Sequence, residues 1–103
     1  MEIKQPRLNV VGPLTDANSS VDEKGLITVD TSSNAVTVYL SSEATTGVGG
    51  SRPLFIFQDV GGNAGTNNIS VVDDKDNAVA TVSSNYGQIF AFYDGQFWQE
   101  FSL

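Results

Sequence analysis

Apolar residues recur at every second position along much of this chain, and turn-forming residues interrupt the pattern about every 8 to 12 positions. Alternation of that period is the mark of half-buried strands, and its regular punctuation points to an all-β sandwich or barrel. In Asn34–Leu40, Val36, Val38 and Leu40 face one way while Thr37 and Tyr39 face the other. Gly25–Asp30 is a second β-rich run, and across Thr31–Ser33 the two are expected to pair as a hairpin. Ser41–Pro53 is too rich in Ser, Thr and Gly for more than one helical turn and reads as a long loop.

Leu54-Phe55-Ile56-Phe57 is apolar on both faces, as expected of a central strand covered on both sides. Gly61–Asn68 is a wide turn whose Gly and Asn residues tolerate positive φ, and Ile69–Val72 returns from it. Asp73–Asn77 is an acidic turn into Ala78–Val82, and Ser83–Asn85 precedes Tyr86–Tyr93. Asp94-Gly95, between two aromatic-rich runs, predicts a two-residue type I′ hairpin turn. The final strand sets Phe97, Phe101 and Leu103 on one face and Trp98 with Glu100 on the other. The expected fold is a single small antiparallel β-sandwich or barrel, jelly-roll-like, over residues 12–103, after an extended arm over residues 1–11.

The chain has 103 residues, which fits one domain with a modest core, so an exposed apolar face would need a partner. Seven of the ten aromatics lie in the last 18 residues, and burying each large ring contributes roughly 1.5 to 3 kcal/mol. Phe90, Phe92, Phe97, Trp98 and Phe101 are therefore expected either in the core or across a subunit interface. A row of Trp98 with Tyr93 or Phe92 is the candidate for the interface.

With no His and no Cys, nucleophilic triads, an imidazole base and Cys/His zinc sites are excluded. Twelve acids against five bases give a net charge of −7, which argues against nucleic acid as a partner. No apolar run has the roughly 18 residues of a membrane helix, and the first residues lack a secretory apolar region. The expectation is a protein made without a signal peptide and without a membrane partner. Residues 1–8 carry a net +1 and the remainder −8, so a slightly basic arm precedes an acidic body. Lys4, Pro6, Arg7 and Leu8 are its candidate docking residues.

Asp73, Asp74, Asp76 and Asn77 place oxygen ligands on a loop, but the Gly and the bidentate Glu of an EF-hand are missing, so a solvated turn is expected. Asp59, Asp94 and Glu100 are conceivable members of a carboxylate pair, which would need a concave pocket. The glycine-rich stretches match neither a P-loop nor a dinucleotide fingerprint. No enzymatic activity and no cofactor are expected. Asn63, Asn67, Asp74 and Asp76, on loops, are candidate glycan contacts.

The run NAVTVYL, a Ser/Thr/Gly loop, RPLFIFQDVGGNAGTNNISV and SSNYGQIFAFYDGQFWQEF follow one another from Asn34 onward. This order resembles the small β modules of bacteriophage tail-fibre and other virion surface proteins. Asp59, Gly62–Asn68, Ile69 with Val71, Asn85-Tyr86-Gly87, Asp94-Gly95 and Trp98 match that pattern over about 70 of the 103 residues. The resemblance implies a non-enzymatic homotrimer on the capsid or tail surface, with a major capsid protein or tail protein as partner. In long fibres the module caps a much larger chain, so a short chain suits a capsid decoration protein of the cement or head-fibre type. The alternative is a tail-fibre or adhesin module that binds host surface glycan.

Overall fold

The computed structural model describes residues 10–22, 25–41 and 54–102. Among these the fold is all-β: β1 Val10–Leu14, β2 Asn18–Val21, β3 Gly25–Val29, β4 Val36–Leu40, β5 Leu54–Asp59, β6 Ile69–Val72, β7 Ala78–Val82, β8 Gln88–Tyr93 and β9 Trp98–Ser102. They form a five-stranded sheet in the order β1-β3-β5-β8-β9 and a four-stranded sheet in the order β2-β4-β6-β7. The arm residues Lys4, Pro6, Arg7 and Leu8 and the loop from residue 42 to 53 lie outside the described residues. β1 runs across the expected boundary between arm and domain.

The sheets are mixed, which corrects the antiparallel, jelly-roll-like expectation. From β1 to β6 the chain alternates between sheets, and each strand pairs in parallel with the one two before it. β1–β2, β3–β4 and β5–β6 are thus three stacked coils. Antiparallel pairing begins only where β7 joins β6, β8 joins β5 and β9 joins β8.

The expected β3–β4 hairpin does not form, because the two strands belong to different sheets. The segment between them, residues 30–35, is a corner rather than a reversal. Asp30 accepts hydrogen bonds from the Ser32 backbone N–H and hydroxyl, which tightens the bend. Asn34 donates its side-chain amide to the Thr15 carbonyl of the preceding coil at 3.3 Å. Asn67 does the same one coil later, donating to the Thr31 carbonyl at 2.9 Å. Val36 and Ile69 are register partners, so these two asparagines hold equivalent places and tie coil to coil at the same corner.

Between the sheets, the alternation places Ile27, Val29, Val36, Val38, Leu40, Phe55, Phe57, Ile69, Val71, Ile89 and Ala91 in one core. Phe55 and Phe57 stack with ring centroids 6.1 Å apart. β5 is central in its sheet as expected, but it is covered on one side only. Phe55, Phe57 and Asp59 are buried, whereas Ile56 is half-buried and Leu54 is 42% exposed.

The closing hairpin forms with a turn shifted by one residue. Asp94 donates its N–H to the Phe97 carbonyl, so Gly95 and Gln96 are the two central positions. Gly95 carries the positive φ, at 106°, and Asp94 does not. The Asp94 carboxylate instead accepts the N–H groups of Gln96 and Phe97, each at 2.8 Å. Asp-Gly here is therefore a capped turn with glycine first, as in type II′, and not type I′.

Candidate functional site: an apolar sheet face

The outer face of the five-stranded sheet presents a row of apolar side chains that crosses every strand. Register sets Val10 beside Leu26, Leu26 beside Ile56, Ile56 beside Phe90 and Phe90 beside Phe101. Leu54 and Phe92 pair in the next row. Rings join the strands here: Phe101 meets Phe90 edge-on at 5.2 Å and Phe92 at 5.9 Å. Val10 is 61% and Phe101 45% exposed. On the far side of the long row, Thr28, Gln58 and Gln88 form a polar border. No described residue pointing outward from these strands is charged.

The outer face of the four-stranded sheet is of a different kind. Asn18, Thr37, Ser70 and Thr81 make one complete row of hydroxyl and amide side chains. Ser20, Tyr39, Val72 and Ala78 make the next. The four-stranded sheet thus carries one polar and one mixed row on its outer face, whereas the five-stranded sheet carries an apolar row across all its strands. A contiguous apolar patch that spans a sheet marks an interaction surface, whereas scattered apolar residues do not.

The expected aromatic cluster is divided between the two sides. Trp98 packs inward, edge-on to Phe55 at 5.7 Å and to Tyr93 at 5.5 Å. Phe90, Phe92 and Phe101 form the outward row, and Phe97 is 61% exposed in the turn. Of the row expected to hold Trp98 with Tyr93 or Phe92, Trp98 and Tyr93 pack together at the end of the core, and Phe92 lies on the outer face of the sheet.

The motif residues Asp59, Gly62 and Asn85-Tyr86-Gly87 converge at one end of the sandwich in a structural knot, while Asp94-Gly95 and Trp98 lie at the other end. Asp59 is 1% exposed, and its carboxylate accepts four backbone N–H groups. Gly61 and Gly62 donate to Oδ1 at 3.2 and 3.1 Å, and Ala64 and Tyr86 donate to Oδ2 at 3.1 and 2.9 Å. Asn85 accepts the Gly65 N–H at 2.8 Å. Gly62, at φ 76°, lies under the Tyr86 ring, where a Cβ would collide with it. Tyr86 itself has φ 58°, a costly conformation for a residue with a side chain, held here by the Asp59 bond. With every near donor spoken for, Asp59 is a keystone of two loops rather than an exposed acid.

Of the candidate glycan contacts, Asn63 donates to the Ser32 hydroxyl and to the Gly61 carbonyl, and Asn67 to Thr31. Their amide nitrogens are engaged within the fold at this same end. Asp74 and Asp76 are exposed on the turn at the opposite end. In that turn Asp73 accepts N–H groups from Lys75 and Asn77 at 2.8 Å and the Asn77 amide at 3.2 Å. Burial pushes its carboxyl up, but the N–H groups of Asn77 and Lys75, the Asn77 amide and the Lys75 charge outweigh this and hold it below its ordinary value. Among the described residues no group of three or more acids is placed to hold a metal ion, and no helix is long and apolar enough to cross a membrane.

The coil-to-coil role of Asn34 and Asn67 and the continuity of the apolar row across the sheet were not read from sequence. The signal for the first is an Asn two residues ahead of both Val36 and Ile69. The signal for the second is β5, whose outward positions are apolar although only one of its sides is covered. Neither protein-family models, nor curated proteins, nor solved structures yielded a match to this chain.

Proposed function

We propose that this chain is a non-enzymatic structural protein of a bacteriophage virion. In this reading it assembles as a homotrimer through the outer face of the five-stranded sheet and decorates the capsid surface. The observation that carries the self-association is the row Val10, Leu26, Ile56, Phe90 and Phe101, on a face where no described residue is charged. A second copy is the occupant this face suits. With a net charge of −7, two copies repel unless they meet on a surface poor in charge, and a charged partner would find no described residue on this face to pair with. Three copies around an axis would each turn this face inward and leave the polar sheet outward.

The virion setting is supported by the resemblance of the Asp59, Asn85-Tyr86-Gly87 and Asp94-Gly95 segments to phage surface modules. In the fold these segments act as braces, which suits a module that bears load rather than one that turns over substrate. The segment with Lys4, Pro6, Arg7 and Leu8 is the proposed grip on the capsid, through its local positive charge.

Mass measurement of the purified protein by light scattering tests the assembly, with three times the chain mass of 11.0 kDa as the expected result. A stable monomer at micromolar concentration would refute it. Deleting residues 1–7 is expected to leave a folded trimer that no longer binds capsids, and unchanged capsid occupancy would overturn the docking role.

A further inference from the structure

Opposite the Asp59 knot, the β6–β7 turn and the tip of the β8–β9 hairpin enclose an open cleft of about 560 Å³. One wall, from the hairpin, holds Tyr93, Gln96, Phe97 and Trp98; the other, from the turn, holds Asp73, Asp74, Lys75 and Asn77. Both walls are held in place before any ligand arrives. Trp98 is fixed edge-on between Phe55 and Tyr93. The opposite turn is fixed by the three bonds to the Asp73 carboxylate. The Asp74 carboxylate and the Gln96 amide make no hydrogen bond with other described residues and remain available to a ligand.

A concave site of this size with flat apolar rings and a few free polar groups matches small-molecule sites in general. We infer that this cleft binds a neutral pyranose oligosaccharide: the C–H face of a sugar ring lies on Phe97 and Trp98, and its hydroxyls bond to Asp74 and Gln96. A carboxylate with an amide satisfies hydroxyl groups, which both donate and accept. Anionic sugars and nucleotides are disfavoured because the carboxylates of Asp73 and Asp74 outnumber the one cation in the lining, Lys75, and because the chain's net charge is −7. The site lies at the loop end of the sandwich, off the apolar row, and does not depend on the assembly state.

Trp98 is the sole tryptophan of the chain, so its emission reports on the cleft directly. The experiment is a fluorescence titration of the full chain with maltohexaose, cellohexaose and chitohexaose, with sialyllactose as the anionic comparison. At least one neutral oligomer is expected to give a saturating change with a dissociation constant of about 1 mM, typical of weak specific binding. Phe97→Ala and Asp74→Ala, both at exposed positions, are each expected to weaken it about tenfold without moving the melting temperature. No saturation with any neutral oligomer, tighter binding of sialyllactose, or binding that survives both substitutions would overturn the assignment. The light-scattering mass answers separately for the trimer, so failure of one reading leaves the other standing.

Discussion

The Asp59 carboxylate accepts the backbone N–H of Tyr86 at 2.9 Å, joining the loop after β5 to the loop before β8. Asp59 also gathers the N–H groups of Gly61, Gly62 and Ala64. Asp59→Ala would strand buried donors at a cost of about 1 to 3 kcal/mol each, so a total loss above about 4 kcal/mol is expected. Asp59→Asn should be nearly as severe, because its amide nitrogen would face N–H groups. Urea denaturation measures both, and a loss below 1 kcal/mol in Asp59→Ala would remove the keystone role.

Asn67 tests the coil-to-coil tie. Asn67→Ala is expected to cost about 1 to 2 kcal/mol through its lost bond to the Thr31 carbonyl. Asn67→Asp should cost more, since a carboxylate cannot donate to a carbonyl. Asn34→Ala, at an exposed position, is expected to cost less than Asn67→Ala. Equal melting temperatures for Asn67→Ala and the parent would show that backbone pairing alone aligns the coils.

Thr31 sits fully buried at the same corner, and its hydroxyl has no hydrogen-bond partner among the described residues. Thr31→Val keeps the shape and removes the unpaired polar atom, so a gain of about 1 kcal/mol is expected. A fall in melting temperature would mean that the hydroxyl is satisfied in solution.

The apolar face is tested by Phe101→Glu, at a residue 45% exposed and at the sheet edge. The chain should stay folded by circular dichroism but dissociate, since a buried unpaired charge costs several kcal/mol at an interface. Ser70→Glu, on the polar face, should leave the mass unchanged. The reverse pattern would place the contact on the other sheet.

Acid should loosen two corners together. The Ser32 hydroxyl and N–H hold the Asp30 carboxyl below its ordinary value of 3.8 against desolvation, and Asp73 is likewise lowered. A carboxyl with a depressed folded value contributes stability that is full above its unfolded value and fades as pH falls through the folded one. The protection factors of the amides in residues 30–35 and 73–77, with the intrinsic pH dependence of exchange divided out, are therefore expected to be constant from pH 7 to about pH 5 and to fall below about pH 4. The same fall over residues 30–35 in Asp30→Asn would assign it elsewhere.

The strand positions were legible, because β4, β6 and β7 follow directly from alternation in Val36–Leu40, Ile69–Val72 and Ala78–Val82. β2 was not, since Asn-Ser-Ser-Val buries only its last residue and carries almost no apolar signal. Pairing direction was also hidden. Side chains alternate in the same way in parallel and antiparallel sheets, so residues 30–35 read equally well as a hairpin turn or as a corner. The side of each aromatic was hidden for a similar reason. In β8 and β9 both faces carry apolar side chains, and only the partner strands show that Trp98 turns in while Phe90 and Phe101 turn out. Asp59 was visible as part of a motif, but its role depends on donors up to 27 residues away.

Each coil donates one strand to each layer, and the antiparallel strands close only one end of the stack. Height is therefore modular: a further β3–β4 unit spliced in before β5 would lengthen the body by one inter-strand spacing, about 4.8 Å. The cap would be left as it is, so the height of the body can be tuned in discrete steps.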